Sequence, residues 1–218
     1  MTTVRTIPTK HGDARVHTDR SRSPFATLVV GHGAGGGIDA ADLVALAERL
    51  PREGISVVRL EQPWRVAGKK VAPAPAILDN ALIAVADKLR LRTPLVLGGR
   101  SAGARSACRT AKHLGASGVL ALAFPLHPPG KPESSRVDEL DAVSVPTLVI
   151  QGENDPFGRP DEFPSSTELA VVPGGDHSLR VPKRGSISQE DALSIVVEAT
   201  LEWIVREVVG NAVGKAGV

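Results

Sequence analysis

A serine sits between two glycines in Gly99-Arg100-Ser101-Ala102-Gly103, directly after the apolar run that starts at Leu95 and directly before a helical pattern. A chain that turns sharply from strand to helix in this way holds the serine in strained backbone geometry. Its hydroxyl is lifted to a helix N-terminus, the G-x-S-x-G arrangement of a nucleophile. Both glycines have a physical reason, because a side chain at either flank collides with neighbouring backbone. An ordinary glycine-rich turn gives the same pattern, so the flanking strand and helix carry the argument.

A serine hydroxyl needs a base, and a base needs an orienting acid. Val172-Pro173-Gly174-Gly175-Asp176-His177-Ser178-Leu179 follows a strand candidate and offers His177, histidine being the residue type suited to proton shuttling near neutral pH. His127, in LAFPLHPPGKPE, also follows a strand and is the rival base. His177 is preferred because it preserves the chain order Ser, Asp, His. The acid expected is Asp155, delivered to a turn by Thr147-Leu148-Val149-Ile150-Gln151-Gly152-Glu153-Asn154, with Glu153 and Asp161 as alternatives. Asp176, adjacent to His177, is read as a loop-former.

Gly31-His32-Gly33-Ala34-Gly35-Gly36-Gly37 follows another apolar run. Bare backbone there exposes N–H groups, and that of Ala34, paired with that of Ala102, is expected to form an oxyanion hole. His32 is expected to tie the loop together by hydrogen bonds. Gly31, Gly33 and Gly36 also satisfy G-x-G-x-x-G, with Glu61 at the end of the next strand, which is a dinucleotide-binding pattern. That reading leaves the serine, aspartate and histidine motifs without a role. Arg100, Trp64, His127 and Phe157 lie at strand ends on the same side and are expected to wall the cleft. Arg100 with Arg65, Lys69 and Lys70 suggests a substrate that carries an anionic group.

These motifs need a frame that brings strand ends together. Short apolar runs alternate with helical patterns from residue 25 onward, which is the signature of βαβ units around a parallel sheet. The expected strands are Ala26 to Val30, Ile55 to Leu60, Leu95 to Gly98, Gly118 to Phe124, Thr147 to Gln151 and Thr167 to Val172. Val4 to Ile7 and Ala14 to Thr18 are expected to add an antiparallel edge. Helices are expected from Asp39, as a capping residue, to Leu50, from Ala76 to Leu89, and from Ala102 to Leu114 with Gly115 as a C-cap. A last helix is capped by Ser188, carries Leu193, Val196, Val197, Leu201, Ile204 and Val208 as its apolar stripe, and ends at Gly210. Residues 211–218 are expected to fray. Only about twenty residues separate the run ending at Phe124 from that starting at Thr147, too few for a helical cap domain.

The 218 residues are 42% hydrophobic, enough for one domain with a sizeable core. Lys plus Arg number 26 against 24 Asp plus Glu, so a net charge of +2 gives no reason to expect nucleic acid or a membrane surface. Charges, Gly or Pro interrupt every apolar stretch before it could span a bilayer. The single Cys108 cannot form an internal disulfide and fits a reducing cytoplasm. It is read as a small core residue. His11, His17 and His113 show no ligand spacing with one another or with Cys108, so no metal site is expected. There is no G-x-x-x-x-G-K-[ST] to cradle a phosphate chain.

Taken together, GHGAGG, GGRSAG, LVIQGENDPFG and GGDHSL resemble the α/β-hydrolase superfamily from about Ala26 to Val209. They look like its compact branch near dienelactone-hydrolase-like and testis-expressed hydrolase-like proteins. The resemblance implies an α/β three-layer sandwich around an eight-strand-type sheet, no cofactor, and hydrolysis of an ester, thioester or related acyl bond of a small substrate. It carries over to Ser101, Asp155 and His177 and to the loop at Ala34. Dienelactone hydrolases proper use cysteine where this chain has Ser101, so dienelactone is not the substrate implied. Some members of the branch act as scaffolds, which supplies a non-enzymatic alternative.

Overall fold

The computed structural model describes residues 2–210. Its frame is an eight-stranded sheet in the order β1-β2-β4-β3-β5-β6-β7-β8. The strands are β1 (Thr3–Thr9), β2 (Gly12–Asp19), β3 (Ala26–Gly31), β4 (Ile55–Glu61), β5 (Leu95–Arg100), β6 (Gly118–Leu122), β7 (Thr147–Gly152) and β8 (Glu168–Val172). β1 and β2 form the expected antiparallel edge, with β2 also antiparallel to β4, and every other pairing is parallel. The fold is the α/β-hydrolase type, helices flanking both faces of a mostly parallel sheet.

Strands covered on both faces read as unbroken apolar runs, and β3 and β6 are buried along their whole length. One face packs Leu28, Val30, Ile55 and Val57 against α1 (Ala41–Arg49) and α6 (Gln189–Trp203), where Leu43, Leu46, Val196 and Trp203 close the layer. The other packs Val29, Val58, Leu97 and Val149 against α3 (Pro75–Leu89) and α4 (Ala102–Thr110), with Leu82, Val85, Ala107 and Cys108. Each fully buried Leu, Val or Ile contributes about 1.5–3 kcal/mol, so these two layers dominate stability. Two short helices, α2 (Pro63–Val66) and α5 (Val137–Asp141), complete the set. α5 is the only helix between β6 and β7, so no cap covers the carboxyl ends of the strands.

Local departures from the expected boundaries have identifiable causes. α1 is capped at Ala40 without a side-chain bond, not at Asp39, because the turn closed by the Ala40 N–H on the Gly37 carbonyl at 3.3 Å already sets the helix entry. The strand expected to reach Phe124 stops at Leu122, since Ala123 takes φ 44° and turns the chain. The α-helical part of α4 ends at Thr110, and looser turns continue to Gly115, whose φ of 59° permits the stop. Ser188 caps α6 as expected, its Oγ accepting from the Asp191 N–H at 3.1 Å while the Asp191 carboxylate accepts from the Ser188 N–H at 3.0 Å. A wider π-helical turn, Ile204–Val209, continues α6, and Gly210 caps it with right-handed helical angles. The expected frayed tail, 211–218, lies outside the described residues.

Cys108 is 5% exposed on α4, and burial pushes its thiol up to about 12. Its reactive thiolate is therefore scarce at neutral pH. Ellman's reagent should leave Cys108 untouched in the native protein at pH 8 and react within the mixing time in denaturant. Prompt stoichiometric labelling of folded protein would contradict this placement of α4.

Candidate active site

Ser101 sits at the junction of β5 and α4 with φ 53° and ψ −110°, in the left-handed half of backbone space where a non-glycine residue is strained. The turn survives because it is held on several sides. The Ser101 N–H donates to the Leu122 carbonyl at 2.9 Å, and its own carbonyl accepts from the Arg105 N–H at 3.1 Å. The flanking glycines are tighter still. A Cβ on Gly103 would lie 2.4 Å from the Gly31 carbonyl oxygen, and one on Gly99 would lie 2.5 Å from the Gly103 carbonyl carbon. The glycine loop after β3 thus packs backbone to backbone against the serine turn, with Gly33 beside Ser101 itself.

His177 bridges the two other groups. Its Nε2 is 2.9 Å from Ser101 Oγ and its Nδ1 is 2.8 Å from Asp155 Oδ2. The loop that carries it leaves β8 and meets the end of β7 through a second glycine contact, where a Cβ on Gly152 would lie 2.5 Å from the Gly175 carbonyl oxygen. Asp155 is fully buried, and its carboxylate is nonetheless well supplied with donors. Oδ1 accepts from the Phe157 N–H at 2.8 Å, and Oδ2 accepts from the Gln151 side-chain amide at 2.9 Å in addition to His177. Gln151 also donates to the carbonyls of Gly158 at 2.8 Å and Phe124 at 3.3 Å, so one buried amide ties β7 to the loops on either side. Sequence reasoning missed it. The available signal was a polar residue at the end of an otherwise apolar run.

The competing acids and base are engaged elsewhere. Glu153 accepts from the Gly174 N–H at 2.6 Å, and Asp161 is an exposed partner of Arg159. Asp176 accepts from the N–H groups of Ser178 and Arg180 at 2.7 and 3.0 Å, shaping the loop. His127 has both ring nitrogens occupied, Nδ1 on the Pro128 carbonyl and Nε2 on Glu162, each at 2.9 Å. Two acceptors favour the doubly protonated ring, and with the Pro128 carbonyl contributing most, its pKa is raised. A ring held as a donor on both sides is a poor base.

His32 pins the glycine loop, as expected. The Gln62 N–H donates to its Nε2 at 3.2 Å, which leaves Nδ1 as the protonated nitrogen, donating to the Gly33 carbonyl at 2.9 Å. Burial lowers its pKa and keeps this neutral tautomer. Ala34 follows Gly33 and is exposed at the cleft. Ala102 is the first residue of α4, so its N–H has no partner one turn back. Gly31 and Gly33 are thereby committed to the serine turn, and Glu61 faces Arg15 at 3.1 Å and His17 at 3.7 Å, which removes the support for a dinucleotide site.

Three of the four expected wall residues turn into the scaffold instead. Trp64 is 5% exposed, edge-on to the His32 ring at 5.6 Å between centroids, with the Arg65 guanidinium 5.4 Å from its ring centroid. His127 is buried against Glu162 as described. Arg100 sends Nη2 to the His177 carbonyl at 2.9 Å and lays Nε 3.4 Å from Asp42 Oδ2, a carboxylate buried in the first turn of α1. Burial raises the Asp42 pKa against the opposing pull of Arg100. Arg100 therefore joins the histidine loop to α1 and is not free to grip an anionic substrate. Phe157 remains at the site, its ring stacked on His177 with centroids 4.0 Å apart.

Comparison with known proteins agrees with this fold. A family model described as "Alpha/beta hydrolase domain" matches residues 24–205. Among solved structures, a lid-less α/β serine hydrolase, XC6422 from Xanthomonas campestris, superposes with a TM-score of 0.73 at 23% identity, covering 93% of this chain and 94% of that one. The dienelactone hydrolase of Anabaena variabilis gives a TM-score of 0.73 at 16% identity over 95% and 98%. Est1E from Butyrivibrio proteoclasticus gives 0.68 at 17% identity over 93% and 99%. At these identities the structural matches speak for the fold, while the family model spans most of the sequence: the chain belongs to the alpha/beta hydrolase domain family.

Proposed function

We propose that the protein is a serine hydrolase that cleaves an ester, thioester or related acyl bond of a small substrate through an acyl-enzyme. The observation that carries this reading is the unbroken hydrogen-bond chain Ser101–His177–Asp155, buried at its acid end and open at its serine end. His177 takes the Ser101 proton as Oγ attacks the acyl carbonyl. The N–H groups of Ala102 and Ala34 receive the developing oxyanion. His177 then protonates the leaving group, and water, activated by the same imidazole, releases the acyl group. Asp155 fixes the tautomer with the proton on Nδ1 and stabilises the imidazolium, while Gln151 and the Phe157 N–H hold the carboxylate in place. With α5 as the only helix between β6 and β7, the cleft stays open to water, which suits small soluble substrates or exposed acyl groups over buried lipid chains. The free thiol at Cys108 suits a reducing, cytoplasmic compartment.

A fluorophosphonate should form one adduct, on Ser101, and Ser101→Ala should abolish it. Adducts mapped by mass spectrometry to another serine would refute the assignment.

His177→Ala should lower kcat by about four to six orders of magnitude, whereas His127→Ala should leave kcat within about tenfold, once both variants melt like the wild type. The wild-type rate should fall on acidification, because a doubly protonated imidazole cannot accept the serine proton. The reading fails if the folded His177→Ala protein retains wild-type kcat.

Gln151→Met removes a donor from Asp155 while keeping the buried volume. It should reduce kcat roughly ten- to a hundredfold with little change in KM, the scale of a hydrogen bond to a charged group. An unchanged kcat would show that Gln151 only packs.

A further inference from the structure

The sheet carries a second concavity at the amino ends of its parallel strands, opposite Ser101. β5 runs from Leu95 at that end to Arg100 at the other, a span of roughly 17 Å at about 3.3 Å per residue. On the face covered by α3, Val16 and Val58 belong to the apolar core. Past Leu89 the helix ends, and the same face continues in hydroxyls: Thr3 lies opposite Thr18 across β1 and β2, and Thr27 opposite Ser56 across β3 and β4. These residues floor a cavity of about 550 Å³. That volume is within the roughly 300–1,000 Å³ of small-molecule sites.

Its charge is one-sided. Arg5, Arg20, Arg22, Arg90 and Arg92 line it, brought from three separate stretches of chain, and its lining includes no Asp or Glu. Asp19, next to Arg20, belongs to the opposite face of β2 and pairs with Arg59 at 3.4 Å. Asp87 lines a neighbouring hollow, which Arg90 also borders, and no ion pair joins the two. Several arginines elsewhere face carboxylates, as at Arg15, Arg59, Arg100, Arg105 and Arg109, while Arg49 and Arg136 donate to a hydroxyl and a carbonyl. Among the described residues none of the five around this cavity is paired with a carboxylate, and Arg5 donates only to the Lys88 carbonyl, at 3.3 Å. Arg90 even holds φ 46° and ψ 54° at the end of α3, where glycine is the usual occupant.

Like charges gathered around one hollow repel unless an anion lies among them. Guanidinium forks and hydroxyl donors are the groups that hold phosphate oxygens, and several forks at different angles suit several linked phosphates. The lining has no aromatic ring on which a base could stack. We propose that this cavity reversibly binds an oligophosphate group, two or more linked phosphates, either as the inorganic ion or carried on a small organic molecule, at a site separate from Ser101.

Isothermal titration with inorganic tripolyphosphate at near-physiological salt tests this on the intact protein. Saturable binding is expected, weakened roughly tenfold or more in Arg20→Ser/Arg22→Ser and in Arg90→Gly/Arg92→Ser, and unchanged in Ser101→Ala. All four changed arginines are exposed, so both double variants should melt like the wild type and hydrolyse p-nitrophenyl acetate at its rate. A nucleoside triphosphate that binds no more tightly than tripolyphosphate identifies the phosphate chain alone as the ligand, and tighter binding identifies an organic carrier. Absence of saturable heat up to millimolar tripolyphosphate would overturn the proposal, as would equal affinity in both double variants. So would binding confined to duplex DNA or anionic vesicles, which would make the arginines a surface for macromolecules.

Discussion

Backbone must touch backbone at two places for this site to exist. Gly99 and Gly103 bring the end of β5 and the start of α4 against each other and against the Gly31 backbone within distances that exclude any Cβ on either, and Gly152 does the same for β7 against the histidine loop at Gly175. Neighbouring strands in a sheet are separated by about 4.8 Å, so the loops that leave them must fold inward to close the remaining gap. Glycine is the one residue that allows this without a void or a clash. The strained φ of Ser101 sits within the same closure, where its N–H is tied to the Leu122 carbonyl.

On that scaffold the polar chain is assembled from the inside outward. Asp155 has no exposed surface, so its charge depends on donors the protein supplies, and Gln151, Phe157 and His177 supply them. An unpartnered carboxylate at that depth would be neutralised or expelled. Arg100 and His32 extend the pattern to the two loops that border the serine, each using its side chain to hold a backbone carbonyl. The site is thus rigid where the hydrogen bonds run and open only toward Ser101.

Much of this was legible in the order of residues. Apolar runs between glycines mark strands buried on both faces, and the catalytic candidates stand where those runs end. The edge pair β1 and β2 was visible as two short runs, Val4 to Ile7 and Ala14 to Thr18, ahead of the first parallel strand. What the sequence concealed depends on long-range contact. Gln151 looks like the polar end of a strand until Gly158 and Asp155 fold over it. Arg100, next to the nucleophile, reads as a substrate ligand until α1 brings Asp42 against it. Trp64 and His127 lie at strand ends on the expected side, yet their rings turn inward onto His32 and Glu162, which position along the chain cannot reveal. The early stop of β6 reflects a single left-handed residue, Ala123, at a place where no glycine announces a turn.

The ring of Phe157, parallel to within 25° of His177, has an effect beyond filling space. An imidazole bound at both nitrogens could still swing about its Cβ–Cγ bond whenever the serine bond opens. A phenyl face at 4.0 Å opposes that swing on its own side. The same face is the negative pole of an aromatic quadrupole, so it favours the ring most when it bears two protons. One hydrophobic side chain therefore acts on the histidine both as a rotational stop and as a weak counter-charge, at a point where a carboxylate in its place would compete with Asp155 for the same proton.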